Sequence, residues 1–254
     1  SVVALVTEAG LADRLEALNQ QTSYPVHEVI PARIGAGGEP DGGSTNKAFP
    51  AGAANLAAGR TTGEYLLFVR DYGGTPSADW VTSLLEQAQR SEVGVVGGRV
   101  LDGAGRTRSA GSFLDLSKLT GSVPGAVTQE RRSRFLPVVD HPFNPVAASV
   151  RCMMVRRSTF EGAKGFDEEK LPTDFYDLDL SFRLGERGLL NVYVPEAPVV
   201  SERGDRFLLP EVAEVEYMWE RWWSVLVKAL HYKDSPLHAI PEHLGDDVLS
   251  IVSV

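Results

Sequence analysis

The strongest constraint on this chain is a rhythm. Short, almost uninterrupted apolar runs alternate with segments whose apolar residues recur at helical spacing. VVALV at 2–6, HEVIPARI at 27–34, YLLFV at 65–69 and VGVVGGRVL at 93–101 are β-rich. Between them Leu11, Leu15 and Leu18 step at helical intervals, and 46–60 is rich in alanine. SADWVTSLLEQAQ at 77–89 reads as a helix capped by Ser77, with Asp79 in its first turn. Strands that are apolar on both faces belong in a sheet covered on both sides, so the order argues an α/β fold with a mostly parallel sheet and helices on either face. The segments 2–6, 29–33 and 66–69 are expected to be neighbouring core strands. The glycines of VGVVGG predict close backbone approach or a kink.

From 102 to 145 the pattern dissolves into Gly, Ser, Thr, Arg and Pro, predicting long loops with one hairpin. Regular structure resumes with SVRCMMVR at 149–156, a helix over 177–188 and the strand NVYVP. Residues 211–232 carry the spacing of one amphipathic helix. On it Trp219, Trp222 and Trp223 could stack on sugar rings or pack into a core, and the apolar stripe favours packing. With no repeat and no linker, the chain is expected to form one domain over 1–203, with a C-terminal helical extension over 204–254 packed on it.

Composition narrows the partners. A net charge of −9 argues against a nucleic-acid groove, which needs clustered Lys and Arg. The one cysteine, Cys152, excludes an intrachain disulfide and a cysteine-rich zinc site, and it favours a reducing compartment. No apolar run reaches the roughly 18 residues that span a bilayer. The sequence opens inside a strand pattern without a leader and closes on LSIVSV. The expectation is a cytoplasmic location, or the cytoplasmic face of a membrane as part of a longer protein. Neither GAGG nor GVVGG is a dinucleotide fingerprint, and His141, in VVDHPFNP, reads as a loop hydrogen-bonder rather than a ligand.

Four segments in a fixed order carry a resemblance: AGAANLAAGRTTGEYLLFV at 51–69, RCMMVRRSTF followed by GFDEE, YDLDLSFRLGERG at 176–188, and VYVPEAPVV at 192–200. Together they resemble the family 2 nucleotide-sugar glycosyltransferases, over roughly 1–201. The resemblance implies the GT-A (Rossmann-like) fold and transfer of a sugar, with inversion, from a nucleotide diphosphate to an acceptor hydroxyl of a glycan or a lipid-linked glycan.

Such a reaction needs one carboxylate to take the hydroxyl proton. The resemblance places Asp177 there, with Tyr176 where the family usually has Glu, and puts Tyr176 and Asp179 on the acceptor side. On chemistry alone, Asp177 is equally an N-cap of its helix, and Asp179 is expected to bond nearby backbone or Arg183. The family's metal-binding pair of aspartates falls on Arg70 and Tyr72, with Asp71 between them, and its histidine falls on Ser201. One carboxylate is a poor site for a hard cation, so no metal cofactor is expected. At the nucleotide end, Thr7 keeps a family position, whereas Arg33 stands where an aspartate contacts the base. Arg33, Arg70 and Asp71 complete the expected nucleotide-binding set with Thr7. The two arginines could grip phosphate in place of a metal or pair with acids such as Asp71 and Glu8. Two readings follow: an active transferase using Asp177, or a GT-A-like domain that has lost catalysis and binds carbohydrate or a partner within a larger protein.

Overall fold

The computed structural model describes residues 1–6, 16–18, 20–26, 28–33, 49–111, 140–201 and 210–230. Its frame is a seven-stranded sheet. The strands are β1 (Val2–Val6), β2 (Val29–Arg33), β3 (Tyr65–Arg70), β4 (Val93–Leu101), β5 (Thr107–Ser109), β6 (Cys152–Arg156) and β7 (Leu190–Val200). Their order is β2-β1-β3-β6-β4-β5, with β7 also paired to β4. The three segments expected to be neighbours are: β1 lies between β2 and β3 and runs parallel to both. β4 and β7 are parallel as well. β6 lies within SVRCMMVR, where regular structure was expected, and runs antiparallel to both β3 and β4 in the middle of the sheet, an orientation the sequence reading did not give. β4 and β5 form an antiparallel hairpin, and most of 102–145, where a hairpin was expected, lies outside the described residues. The β4–β5 turn is organised by Asp102, whose carboxylate accepts the N–H groups of Ala104 and Arg106, each at 2.9 Å.

Alternation along the strands divides the core into two layers. Val3, Leu66, Phe68, Val95, Met153 and Val155 face one side. That side is covered by α1 (Pro50–Ala58), α3 (Arg157–Gly162), α4 (Tyr176–Glu186) and α5 (Val212–Leu230). Val2, Ala4, Leu67, Val69, Val96 and Met154 face the other side, against α2 (Trp80–Ala88). The alanines of α1 let it lie close on the sheet, and Ala51 and Ala54 are fully buried. Phe68 gathers Phe160 and Phe166 around it, with ring centroids 5.3 and 5.0 Å away, and Tyr176 extends the cluster at 5.0 Å from Phe166. Edge contacts of this kind add to the burial of large rings.

Two of the segments that carry the resemblance are bolted together by one side chain. Asn55 of α1 accepts the N–H of Phe166 and donates to its carbonyl oxygen, both at 2.9 Å. Gly165 has φ +68, and a Cβ there would run into the Asn55 amide, so both conformation and space require glycine. The expected close approach in VGVVGG is at Gly98, where a Cβ would collide with Cys152 Sγ and the Ala197 carbonyl. There the β4–β7 register also shifts.

One helix boundary is corrected. Ser77 does not cap α2: the helix starts at Trp80 with Asp79 as its N-cap residue. Asp79 is engaged from outside the helix by the Ser23 hydroxyl, which donates to its carboxylate at 2.5 Å. Among the described residues, no helix is long and apolar enough to cross a membrane.

Candidate active site

The site forms where β3 ends against the start of α4. Leu66 and Phe68 point to the α4 side of the sheet, and Arg70 continues that alternation. Its Nη1 donates to the Tyr176 hydroxyl at 3.2 Å. The next residue breaks the pattern. Asp71 is buried with φ 55, in the left-handed region that Asp tolerates better than most residues. This turn of the backbone sends Tyr72 into the opposite core layer. There Tyr72 is 2% exposed, stacks on Trp80 with centroids 5.9 Å apart, and donates its hydroxyl to Gln21 at 3.1 Å.

That geometry decides the fit of a divalent cation at this strand end. Among the described residues, the carboxylate at the end of β3 is that of Asp71, with the Arg70 Nε 3.8 Å from its Oδ2. Tyr72 faces away, and Ser201 is buried in an isolated antiparallel bridge to Tyr72. With the Arg70 guanidinium beside the Asp71 carboxylate, the described residues at this strand end do not fit a hard cation, which needs several oxygen ligands. Among the described residues, no group of three His, Cys, Asp or Glu side chains is arranged to hold a metal.

Asp177 lies one residue inside α4. The N-cap expectation is corrected: the N-cap position belongs to Phe175, in a left-handed conformation at φ 58. The Asp177 carboxylate instead accepts the N–H of Val150 through one oxygen and that of Leu178 through the other, each at 2.9 Å. The Val150 bond crosses from α4 to the turn that enters β6, so it fixes the carboxylate relative to the sheet. Burial raises the Asp177 pKa, opposed by the two N–H groups and by the charge of Arg70.

Arg70, Asp177 and the 149–151 and 173–176 segments line a cavity of about 150 Å³. Asp174 belongs to this group and was missed in the sequence, although it stands only three residues before Asp177. Burial raises its pKa, and Arg70 opposes that shift. Tyr176, with its hydroxyl in the same group, is pushed up to about 12 by burial and stays a neutral phenol. Arg70 is held above its ordinary pKa by Tyr176, then by Asp71, Asp174 and Asp177. The result is the Arg70 guanidinium set among three acids, facing a space that Arg151 also lines and that opens to solvent.

Asp179 is placed elsewhere. It is 1% exposed, accepts the Arg183 Nε at 2.7 Å and the Trp222 indole N–H at 2.9 Å. Arg183 also donates to the carbonyls of Ala163 and Gly165. The expected bond to Arg183 is present, and Trp222, fully buried, packs at this point. Thr7 lies outside the described residues, and for Arg33 only the backbone, paired with Val6, is described. A larger hollow of about 690 Å³ lies between α1, α3 and the 163–169 turn. None of the candidate residues lines it, so it is not assigned to the chemistry.

Comparison with known proteins agrees with this architecture. No family model matches the chain. An uncharacterized protein, y4gI, of Sinorhizobium fredii is 28% identical over 176 residues, which is 66% of this chain and 19% of that protein. The O-antigen biosynthesis protein RfbC of Myxococcus xanthus is 27% identical over 163 residues, 64% of this chain and 13% of that protein. An N-acetylglucosaminyl-diphospho-decaprenol L-rhamnosyltransferase of Mycobacterium tuberculosis is 46% identical over 52 residues, 20% of this chain and 17% of that protein. The chain therefore matches less than a fifth of the length of each of these relatives. Among solved structures, GalNAc-T7 with UDP, GalNAc and Mn2+ superimposes with a TM-score of 0.65 at 12% identity, over 89% of this chain and 48% of that one. The mannosyltransferase PcManGT of Pyrobaculum calidifontis, with GDP-Man and Mn2+, gives 0.50 at 12% identity, over 81% and 57%. The fold is that of the GT-A glycosyltransferases, and the sequence is glycosyltransferase-like.

Proposed function

We propose that this chain is an inverting glycosyltransferase of the family 2 type, which moves a sugar from a nucleotide diphosphate to a hydroxyl of a glycan or lipid-linked acceptor. The observation that carries the proposal is the cavity in which the Asp177 carboxylate, fixed by two backbone N–H groups, lies near the Arg70 guanidinium. The names of the relatives support a role in building cell-envelope polysaccharide.

In this reading Asp177 accepts the proton of the acceptor hydroxyl as its oxygen attacks the anomeric carbon. The bond from that carbon to the diphosphate oxygen breaks on the opposite face, and the nucleoside diphosphate leaves with the electron pair. Burial lifts the carboxylate towards the working pH, the direction that suits a general base. Arg70 takes the part that a metal ion plays in a GT-A site with an intact acidic pair. It is a preorganised cation that spreads its charge over the developing diphosphate through donors that Tyr176 leaves free. Thr7 and Arg33 belong to the nucleotide side of the same proposal, Asp71 holds Arg70, and Asp179 secures the acceptor-side helix.

The test is transfer or hydrolysis of UDP-, GDP- and dTDP-sugars in the presence of EDTA, with the wild type and Asp177→Asn. Turnover that survives EDTA and is lost in the variant supports the proposal. Full activity in Asp177→Asn, or loss on chelation alone, overturns the mechanism. No binding or turnover of any of these donors overturns the assignment in favour of a non-catalytic domain.

A further inference from the structure

α5 carries an anomaly on its buried face. Met218 and Trp222, four residues apart, are both fully buried, and one turn earlier the same stripe holds Glu214, only 2% exposed. A buried carboxylate needs partners, and Glu214 finds them outside its own helix. Its two oxygens accept the backbone N–H groups of Thr173 at 3.0 Å and Asp174 at 2.7 Å. These two residues lead directly into Phe175, whose left-handed backbone turns the chain into α4, and both line the cavity beside Asp177. α5 grips α4 a second time, through the Trp222 indole on Asp179.

We propose that Glu214 is a positioning residue for the active site: it fixes the 173–175 turn, and through it the Asp177 carboxylate, so that the helix over 212–230 is a working part of the site. The proposal rests on the assignment of Asp177 as the base. A two-oxygen acceptor that holds consecutive N–H groups defines the turn's position and direction, as one bond would not. The left-handed residue that follows has little freedom to absorb an error, so displacement of Thr173 and Asp174 is passed into the first turn of α4. Glu214 faces Asp174 across this contact, and Glu211 at the start of its own helix acts on Asp174 as well. Arg70 and Asp177 act on Asp174 from the cavity side. Burial lifts Glu214 to about 7, so its charge state changes within the pH range in which a transferase is assayed.

The experiment uses the whole chain and two variants, Glu214→Ala and Glu214→Gln. The glutamine keeps one acceptor oxygen and protects the fold if the alanine does not. Amide resonances of uniformly 15N-labelled protein give a readout that does not depend on turnover. The amides of Thr173 and Asp174 are expected to shift, and with them those of Val150 and Leu178, which donate to Asp177, while the amides of β1 and β2 stay in place. If Val150 and Leu178 do not move, Glu214 holds a turn without reaching the site and the proposal fails, whatever the protein catalyses. With a donor that turns over, kcat is expected to fall about tenfold or more while the donor KM stays within about twofold. The glutamine variant should recover part of kcat and lose the limb of the pH profile near 7. Unchanged kcat in Glu214→Ala, or a loss accounted for by unfolded protein alone, overturns the proposal. A wild type without turnover would count against the assigned reaction, and the amide shifts would still decide the role of Glu214.

Discussion

Asp177 and Asp179 stand two residues apart on one helix, yet the fold gives them opposite tasks. Successive helical residues turn by about 100°, so the two carboxylates leave α4 on nearly opposite sides. Asp177 faces the cavity, held by two N–H groups and near the Arg70 guanidinium. Asp179 faces the packing against α5, where Arg183 and the Trp222 indole occupy its oxygens. One carboxylate is fixed in place with room before it, and the other is saturated and sealed. Chemistry needs the first arrangement, and a helix–helix contact needs the second. The same division appears at the end of β3, where the turn at Asp71 leaves Arg70 at the cavity and buries Tyr72 in the other core layer.

The contrast can be broken most sharply by removing the charge at each of the two positions. Asp177→Asn is expected to lower turnover by about 10² to 10⁴, while the one N–H that loses its acceptor costs only about 1–3 kcal/mol of stability, measured by initial rates and denaturant unfolding on the same samples. Asp179→Ala should do the reverse. Removing one partner of a buried ion pair costs about 3–5 kcal/mol of stability, read by denaturant unfolding, while the folded fraction keeps most of its turnover. Similar losses of activity in both variants at equal folded fraction would erase the distinction.

A smaller effect is expected at Arg70. Arg70→Lys keeps the charge and removes the planar fork, and should weaken binding of a nucleoside diphosphate about tenfold in calorimetric titration, with or without Mn2+. Binding that instead strengthens when Mn2+ is added to the wild type would show that the guanidinium does not serve as the site's cation.

The smallest effect is a slope. Glu214 titrates near 4.5 when unfolded and near 7 when folded. Between these values the folded chain holds the proton more tightly, so this group's contribution to stability is fully present below about pH 4.5 and is lost as pH rises through about 7. Thermal melts of wild type and Glu214→Gln across pH 4–8 should diverge by no more than about 3 kcal/mol, with the wild type losing more towards neutral pH. Parallel curves would remove Glu214 from the titrating groups and leave the contrast between Asp177 and Asp179 intact.

By itself the sequence determined the layered α/β frame, because uninterrupted apolar strands such as 2–6 and 65–69 can be satisfied only by a sheet covered on both faces. It also offered Arg183, beside nearby backbone, as the partner of Asp179, since residues four apart on a helix are neighbours wherever the helix lies. The tertiary structure decided the rest. The antiparallel insertion of β6 depends on pairings about 90 residues apart in sequence, such as Leu67 with Met154, to which local pattern is blind. The fate of Tyr72 depends on one backbone angle at Asp71, and side-chain periodicity alone would have set it on the same face as Arg70. Asp174 was visible as an acid near Asp177, but only the turn at Phe175 brings it to the cavity. Glu214 left a trace, a charge on the apolar stripe of Met218 and Trp222, but the reason for it lies about 40 residues away, in the N–H groups of Thr173 and Asp174. Periodicity reports which face a residue takes, and contacts between distant segments settle what that face meets.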